Sequence, residues 1–291
     1  METSELLKKV RKIEIKTRGL SNQIFSGEYH SAFKGRGMAF SEVREYMPGD
    51  PIRSIDWNVT ARFNHPYVKV FEEEREITMM LIIDVSGSEN FGSKRMLKRE
   101  LITEVSAVLA FSAVQNNDKI GVLLFTDQVE KFIPPKKGKS HILRIIRELI
   151  DFEPQGKGTN INEALRFFNN VTNKRSIAFL ISDMLGEGYE KPLRIAKQRH
   201  DLVALIPRDV AEDELPDLGV VPIQDYESGK PFWLDTSDKK VRTHYRKNRE
   251  SMLQETTTLL RKSGIDFAEL YTNRSYVQPL MQLFKMRGAR K

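Results

Sequence analysis

Cysteine is absent from this 291-residue chain. That removes disulfides, thiolate zinc sites, iron–sulfur clusters and thiol nucleophiles together, and it fits a reducing compartment. Long hydrophobic runs are absent too. The strongest, residues 79–83, is far short of the roughly 20 residues that a spanning helix needs. The N-terminal stretch METSELLKKVRKIEIK is amphipathic and charged throughout. It has no apolar core segment and no small-residue cleavage site, so it does not read as a signal peptide, and the expected location is cytoplasmic. Histidine is sparse: residues 30, 65, 141, 200 and 244 are scattered, and no pair has metal-ligand spacing. What remains is an ordinary globular composition, 40% hydrophobic and 30% charged, long enough for one large domain or two small ones.

The net charge of +7 raises the question of nucleic acid. The excess is spread along the chain and forms no basic tail. One cluster stands out: Lys239, Lys240, Arg242, Arg246, Lys247 and Arg249 lie within eleven residues that contain no acid. A solvated helix face is the commoner outcome of such a run; a docking surface for an acidic partner or for phosphates is the alternative.

The pattern changes character at residue 77. Residues 4–16 read as an amphipathic helix, but 26–66 are punctuated by glycine and proline and show no sustained period, which predicts loops and short strands. Residues 67–70 alternate like a strand and precede an acidic run at 72–74. From 77 onward strands alternate with helices. Buried-type strands are predicted at 77–84, 119–125, 176–182 and 202–206, an edge strand at 128–133, and a last strand at 265–271. Helices are predicted at about 94–116, 141–152, 162–171, 190–198, 238–262 and 275–286. The first of these has Leu97, Leu101, Val105 and Val108/Leu109 on its apolar face. Residues 219–235 read as a hairpin, VVPIQ and PFWLD around a turn at 227–230, and Phe40, Phe232 and Trp233 are expected in the core. The fold class is therefore α/β, a doubly wound and mostly parallel sheet, with a smaller irregular N-terminal segment (1–77) ahead of the sheet domain (78–291).

Such sheets bind ligands beyond the carboxyl ends of their strands, where strand order reverses. The first central strand delivers Asp84-Val85-Ser86-Gly87-Ser88, the loop before 162–171 carries Thr159 among glycines, and strand 176–182 runs into Asp183. Two carboxylates and three hydroxyls, without His or Cys, make a hard-oxygen set suited to Mg²⁺ or Mn²⁺. Singly, each residue suits a helix cap or a turn equally well.

Together, Asp84-x-Ser86-x-Ser88, Thr159 and Asp183 resemble the metal-ion-dependent adhesion site of the von Willebrand factor type A domain. Upstream, Gly37, Phe40, Arg44, Tyr46, Pro48-Gly49-Asp50, Arg53, Ile55-Asp56-Trp57, Ala61-Arg62 and Lys69 resemble the signature of the bacterial domain-of-unknown-function family numbered fifty-eight, whose members carry a type A domain after this segment. One departure is Glu89, where methionine is common. The resemblance implies that Ser86, Ser88 and Thr159 bind the metal directly and that Asp84 and Asp183 act partly through water. It also implies a non-catalytic module, an acidic protein ligand that completes the metal site, and an adaptor role beside a MoxR-type AAA+ ATPase in protein-complex assembly or maturation. Nucleic-acid binding through 239–249 and the C-terminal tail, and metal-assisted hydrolysis, are the alternatives. Gly138-Lys139-Ser140 lacks the glycine of a phosphate loop, since Ile133 stands in its place, and reads as a basic loop and helix cap. The dense charges Arg44, Asp50, Arg53, Asp56 and Arg62 read as an internal salt-bridge network, with a partner surface as the alternative.

Overall fold

The computed structural model describes residues 11–14, 16, 17, 19, 20, 39–72, 77–93, 96–224 and 231–289. Expectations for the glycines at 27, 35 and 37, the run at 73–74, the turn at 227–230 and the last two residues lie outside these. The chain divides into two compact units, residues 33–77 and residues 1–32 with 78–291. The helical residues among 11–20 thus group with the α/β unit rather than with the segment that follows them.

In the smaller unit, β1 (Ala39–Glu45) pairs antiparallel with β2 (Tyr67–Glu72). Between them lies a helix that sequence punctuation concealed, α1 (Trp57–Phe63). Asp56 starts it by accepting from the backbone N–H groups of Asn58 and Val59, and Asn64 ends it in the left-handed conformation. Arg44 grips Asp50 through two parallel hydrogen bonds of 2.8 and 2.7 Å, and Lys69 stands 3.4 Å from Asp56.

The larger unit is built on six strands: β3 (Thr78–Asp84), β4 (Lys119–Phe125), β5 (Val129–Lys136), β6 (Ile177–Ile181), β7 (Asp201–Arg208) and, after a separate hairpin, β10 (Asp266–Tyr271). They lie in the order β10-β7-β6-β3-β4-β5. All neighbours are parallel except β4 and β5. The apolar runs of β3, β4, β6 and β7 are buried almost throughout, as a sheet covered on both faces requires. β5 extends through Pro134 and Pro135, which the sequence pattern places after the strand's end. There Gly121 of β4 opposes the two prolines in a bulge, between the pairs Ile120–Lys136 and Val122–Ile133. A side chain at 121 would meet the Ile133 carbonyl oxygen and the Met80 sulfur at 2.8 Å.

The helices are α2 (Lys98–Gln115), α3 (Lys139–Asp151), α4 (Ile161–Val171), α5 (Glu190–Arg199), α6 (Lys239–Lys262) and α7 (Val277–Ala289). Two expectations need correction. The helix expected over 94–116 as amphipathic is buried nearly all round, and Leu97, taken as part of its apolar face, is its exposed N-cap residue while Lys98 is buried. Phe232 and Trp233, expected in the core, are exposed: they lie on β9 (Pro231–Asp235), which among the described residues pairs only with β8 (Val220–Gln224). A two-stranded ribbon has no second layer of its own to cover both its faces. The side chain of Phe40 is outside the described set.

Candidate metal centre

From β3 the chain adds β4 and β5 on one side, then crosses to β6, β7 and β10 on the other. Strand order therefore reverses between β3 and β6, and the carboxyl ends of these two strands flank the reversal. Asp84 ends β3, and Ser182 and Asp183 follow β6. The apolar runs fix the register of both strands in the core, so their first polar residues are delivered to the same edge.

Asp84 is pinned from two sides. Its Oδ1 accepts the Ser86 backbone N–H at 3.0 Å, and its Oδ2 accepts the Ser182 hydroxyl at 2.8 Å. Residues 87–90 then form one tight turn, in which the Glu89 N–H reaches back to the Ser86 carbonyl at 3.2 Å. This turn places the Ser86 and Ser88 hydroxyl oxygens 3.2 Å apart, and Ser88 donates to Asp183 Oδ2 at 2.9 Å. Four of the five sequence-derived ligands are thus joined by hydrogen bonds, directly or through Ser182. The fifth, Thr159, lies on a loop held against the same turn: the Lys157 carbonyl accepts the Gly87 N–H at 3.1 Å, and the Asn160 N–H donates to the Thr126 carbonyl at 2.8 Å. The Thr159 hydroxyl oxygen is buried and has no hydrogen-bond partner among the described residues. A buried hydroxyl in that condition is costly unless a ligand completes it.

Sequence reasoning missed three contributors: Ser182, Lys98 and Glu212. Lys98 is wholly buried at the start of α2, its ammonium 2.8 Å from Glu212, 3.1 Å from Asp183 and 3.9 Å from Glu89. A signal existed, since Lys98 shares the helical spacing of Leu101, Ile102 and Val105 and so lies within an apolar stripe. Glu89 is as deeply buried, and Asp84, Glu89 and Asp183 each offer an oxygen within 4.8 Å of the others.

The electrostatics follow from this crowding. Burial pushes the Asp84 carboxyl up to about 7, and the neighbouring charge of Asp183 adds to the effect against the hydrogen bonds from Ser86 and Ser182. Burial also lifts Glu89 well above the ordinary carboxylate value; Lys98 opposes this, and Asp183 and Asp84 reinforce it. At Lys98 burial works against the charge, but Glu89, Asp183 and Glu212 outweigh it and hold the ammonium above the usual lysine value. One buried cation thus faces several carboxylates, and a divalent ion would supply the missing positive charge. The donors are all oxygens, matching Mg²⁺ or Mn²⁺ rather than a soft metal.

The basic cluster lies on α6, and the structure divides it. Arg242 donates to the Thr236 and Ser237 carbonyls at 2.5 and 2.9 Å and stands 3.1 Å from Asp217. Arg249 donates to the Glu212 carbonyl at 3.1 Å, and Arg246 stands 4.0 Å from Glu214. Lys239, Lys240 and Lys247 are exposed.

Comparison with known proteins places the chain in a family. The chain is 27% identical over 296 aligned positions to "Uncharacterized protein Rv1480" of Mycobacterium tuberculosis, covering 99% of this chain and 92% of that relative. It is 28% identical over 109 positions to "Uncharacterized protein YeaD" of Bacillus subtilis, covering 38% of this chain and 25% of the relative. Among solved structures it is similar to the conserved hypothetical protein BatB of Bacteroides thetaiotaomicron, with a TM-score of 0.46 and 15% identity over 74% of this chain and all of that one. Proximal thread matrix protein 1 of the mussel byssus, with a zinc-occupied MIDAS motif, gives a TM-score of 0.37 and 19% identity over 45% of this chain and 38% of that one. At these scores the structural likenesses carry no functional weight. The family model described as "Protein of unknown function DUF58" matches residues 42–255, more than half of the sequence, and the chain belongs to that family.

Proposed function

We propose that this chain is a non-catalytic, metal-dependent protein-binding module. Ser86, Ser88 and Thr159 would hold a Mg²⁺ or Mn²⁺ ion directly, and Asp84 and Asp183 partly through water. Neutral direct ligands keep such an ion electrophilic, and its remaining position would accept the carboxylate of an acidic partner. The observation that carries this reading is the Ser88–Asp183 hydrogen bond at the strand-order reversal, together with the Thr159 hydroxyl, which has no partner among the described residues, on the loop held to the same turn. The ligands are fixed to strand ends by Asp84 and Ser182, an arrangement suited to holding an ion in place.

The finer form of the proposal is an adaptor for a MoxR-type AAA+ ATPase in the assembly or maturation of protein complexes, acting in the cytoplasm. The segment that resembles the family signature supports it. Among the described residues no helix is long and apolar enough to cross a membrane. Purified wild-type chain and Asp84→Ala would be tested for binding to a purified MoxR-type ATPase, with Mg²⁺ and with excess chelator. Binding by the wild type in Mg²⁺ only, lost in a variant of unchanged circular dichroism, is expected. Binding that survives both chelation and the substitution overturns the reading.

A further inference from the structure

We propose that Glu89 is a built-in ligand of this centre: its carboxylate takes the coordination position that a partner's acidic side chain would otherwise fill, so the site is closed by its own chain and opens by exchange. The inference rests on the metal-binding reading above and adds a residue and a mode of regulation to it.

Four observations converge on Glu89. The residue is 1% exposed, so solvent does not satisfy it. Neither carboxylate oxygen has a hydrogen-bond partner among the described residues. A buried carboxyl group with neither oxygen hydrogen-bonded is costly in either protonation state. One of its oxygens lies within 4.8 Å of oxygens from both Asp84 and Asp183, which brings it into the cluster those two define. Finally, Glu89 sits on the turn that also carries Ser88 and begins from Ser86, so the segment that aims two ligands aims this one as well.

The competing explanation is that Glu89 merely neutralises Lys98. The distances weigh against it. The Lys98 ammonium is 3.9 Å from Glu89, beyond hydrogen-bond reach, and it is already bonded to Glu212 at 2.8 Å and to Asp183 at 3.1 Å. A counter-ion chosen for Lys98 would make the short contact; Glu89 makes the long one. Its oxygens are left for something else, and the oxygens grouped with them are those of Asp84 and Asp183 in the metal centre.

A carboxylate supplied from within changes the chemistry of the site. It adds a charged ligand to a mainly neutral inner set, which raises affinity for the ion and lowers the ion's appetite for an external anion. Partner capture then requires the partner's carboxylate to displace Glu89, so only a partner that also docks elsewhere on the surface would succeed. Isolated small carboxylates would be rejected, which is a specificity device as well as a closure.

The test uses Mn²⁺ as the probe, with the full chain as wild type, Glu89→Gln, Glu89→Ala and Glu89→Asp. Calorimetry gives the affinity, and water-proton relaxation gives the number of exchangeable waters on the bound ion. The expected results are a loss of affinity of about tenfold or more in Glu89→Gln, one additional exchangeable water in Glu89→Ala, and recovery of affinity in Glu89→Ala on adding acetate, which leaves the wild type unchanged. Glu89→Asp, which keeps the charge on a shorter arm, should fall between wild type and Glu89→Gln. Unchanged affinity in Glu89→Gln, or weakened affinity with neither an added water nor acetate recovery, overturns the role of Glu89 while leaving the metal centre standing. Failure of the wild type to bind Mn²⁺ overturns the metal-binding reading and this inference together.

Discussion

Two buried residues show how environment sets the behaviour of a titrating group. Lys98 is enclosed by Asp183, Glu212 and Glu89, so replacing it with methionine keeps the volume and removes the cation. Breaking a buried charge set by deleting one partner costs about 3–5 kcal/mol, because the remaining charges are stranded. Lys98→Met should therefore lose stability of that order in chelator, read from urea denaturation, and added Mg²⁺ should restore part of it. His200 is a simpler case. It is buried against Phe168 and takes its hydrogen bonds from Ser176, and burial, with Arg199 and Arg175 nearby, lowers its pKa from the ordinary 6.5 to about 4. Since the unfolded chain binds the proton first, its contribution is fully present above pH 6.5 and falls away as pH drops toward 4. Melting temperatures across that window should decline more steeply for wild type than for His200→Gln. Asp84 and Asp183 were legible in the sequence because each terminates an apolar run. Lys98 was not, because lysine at a helix start ordinarily reads as surface.

Among the elements, the central strands were the most legible and the bulge between β4 and β5 the least. Periodicity detects burial on both faces, so β3, β4, β6 and β7 stand out, and the strand-then-helix alternation gives the parallel sheet. A bulge depends on which residue opposes which, a long-range fact that periodicity does not hold. Here Gly121 meets Pro134 and Pro135, and an added Cβ has a backbone carbonyl and a proline nitrogen within 2.9 Å. Gly121→Val should cost about 1–3 kcal/mol, seen as a lower denaturation midpoint with an unchanged slope. The N-terminal segment misled for a related reason. Its prolines and glycines mark real turns, yet Asp56 caps a seven-residue helix, too short to show a period. The exposed Phe232 and Trp233 were misread because aromatic content alone suggests burial, while the ribbon that holds them pairs with no other strand among the described residues.

At the scale of the molecule, the α/β unit brings residues 84 and 183 together only when β3 and β6 pair. An ion that needs both strand ends binds the folded unit and not the unfolded chain, so it must stabilise the fold. At a hundredfold excess over its dissociation constant the gain is about 2.7 kcal/mol, or a rise of roughly 5–10 °C in melting temperature for a unit of this size. Differential scanning with Mg²⁺ and with chelator should show that rise in wild type and none in Asp84→Ala. The net charge of +7 looks different once placed. Arg242 and Arg249 face acidic or carbonyl groups of 212–237, which leaves Lys239, Lys240, Lys247 and the exposed Arg246, 4.0 Å from Glu214, as the outward charges of the cluster. Four cations on one helix, one of them beside acids, make a weak footprint for nucleic acid, and RNA retention should be small even at low ionic strength.

The prolines that shape β5 also govern how copies of the chain meet one another. Among the described residues β5 is the last strand on its side of the sheet, and an outermost strand is where a foreign segment can add itself and start a fibre. Pro134 and Pro135 offer no N–H there, the bulge bends the strand, and Lys131 and Lys136 flank them. A newcomer would find an interrupted ladder and the charge of Lys136, since Lys131 is paired with Glu148. Pairing of one copy with another through that side is disfavoured by the same residues that close the sheet.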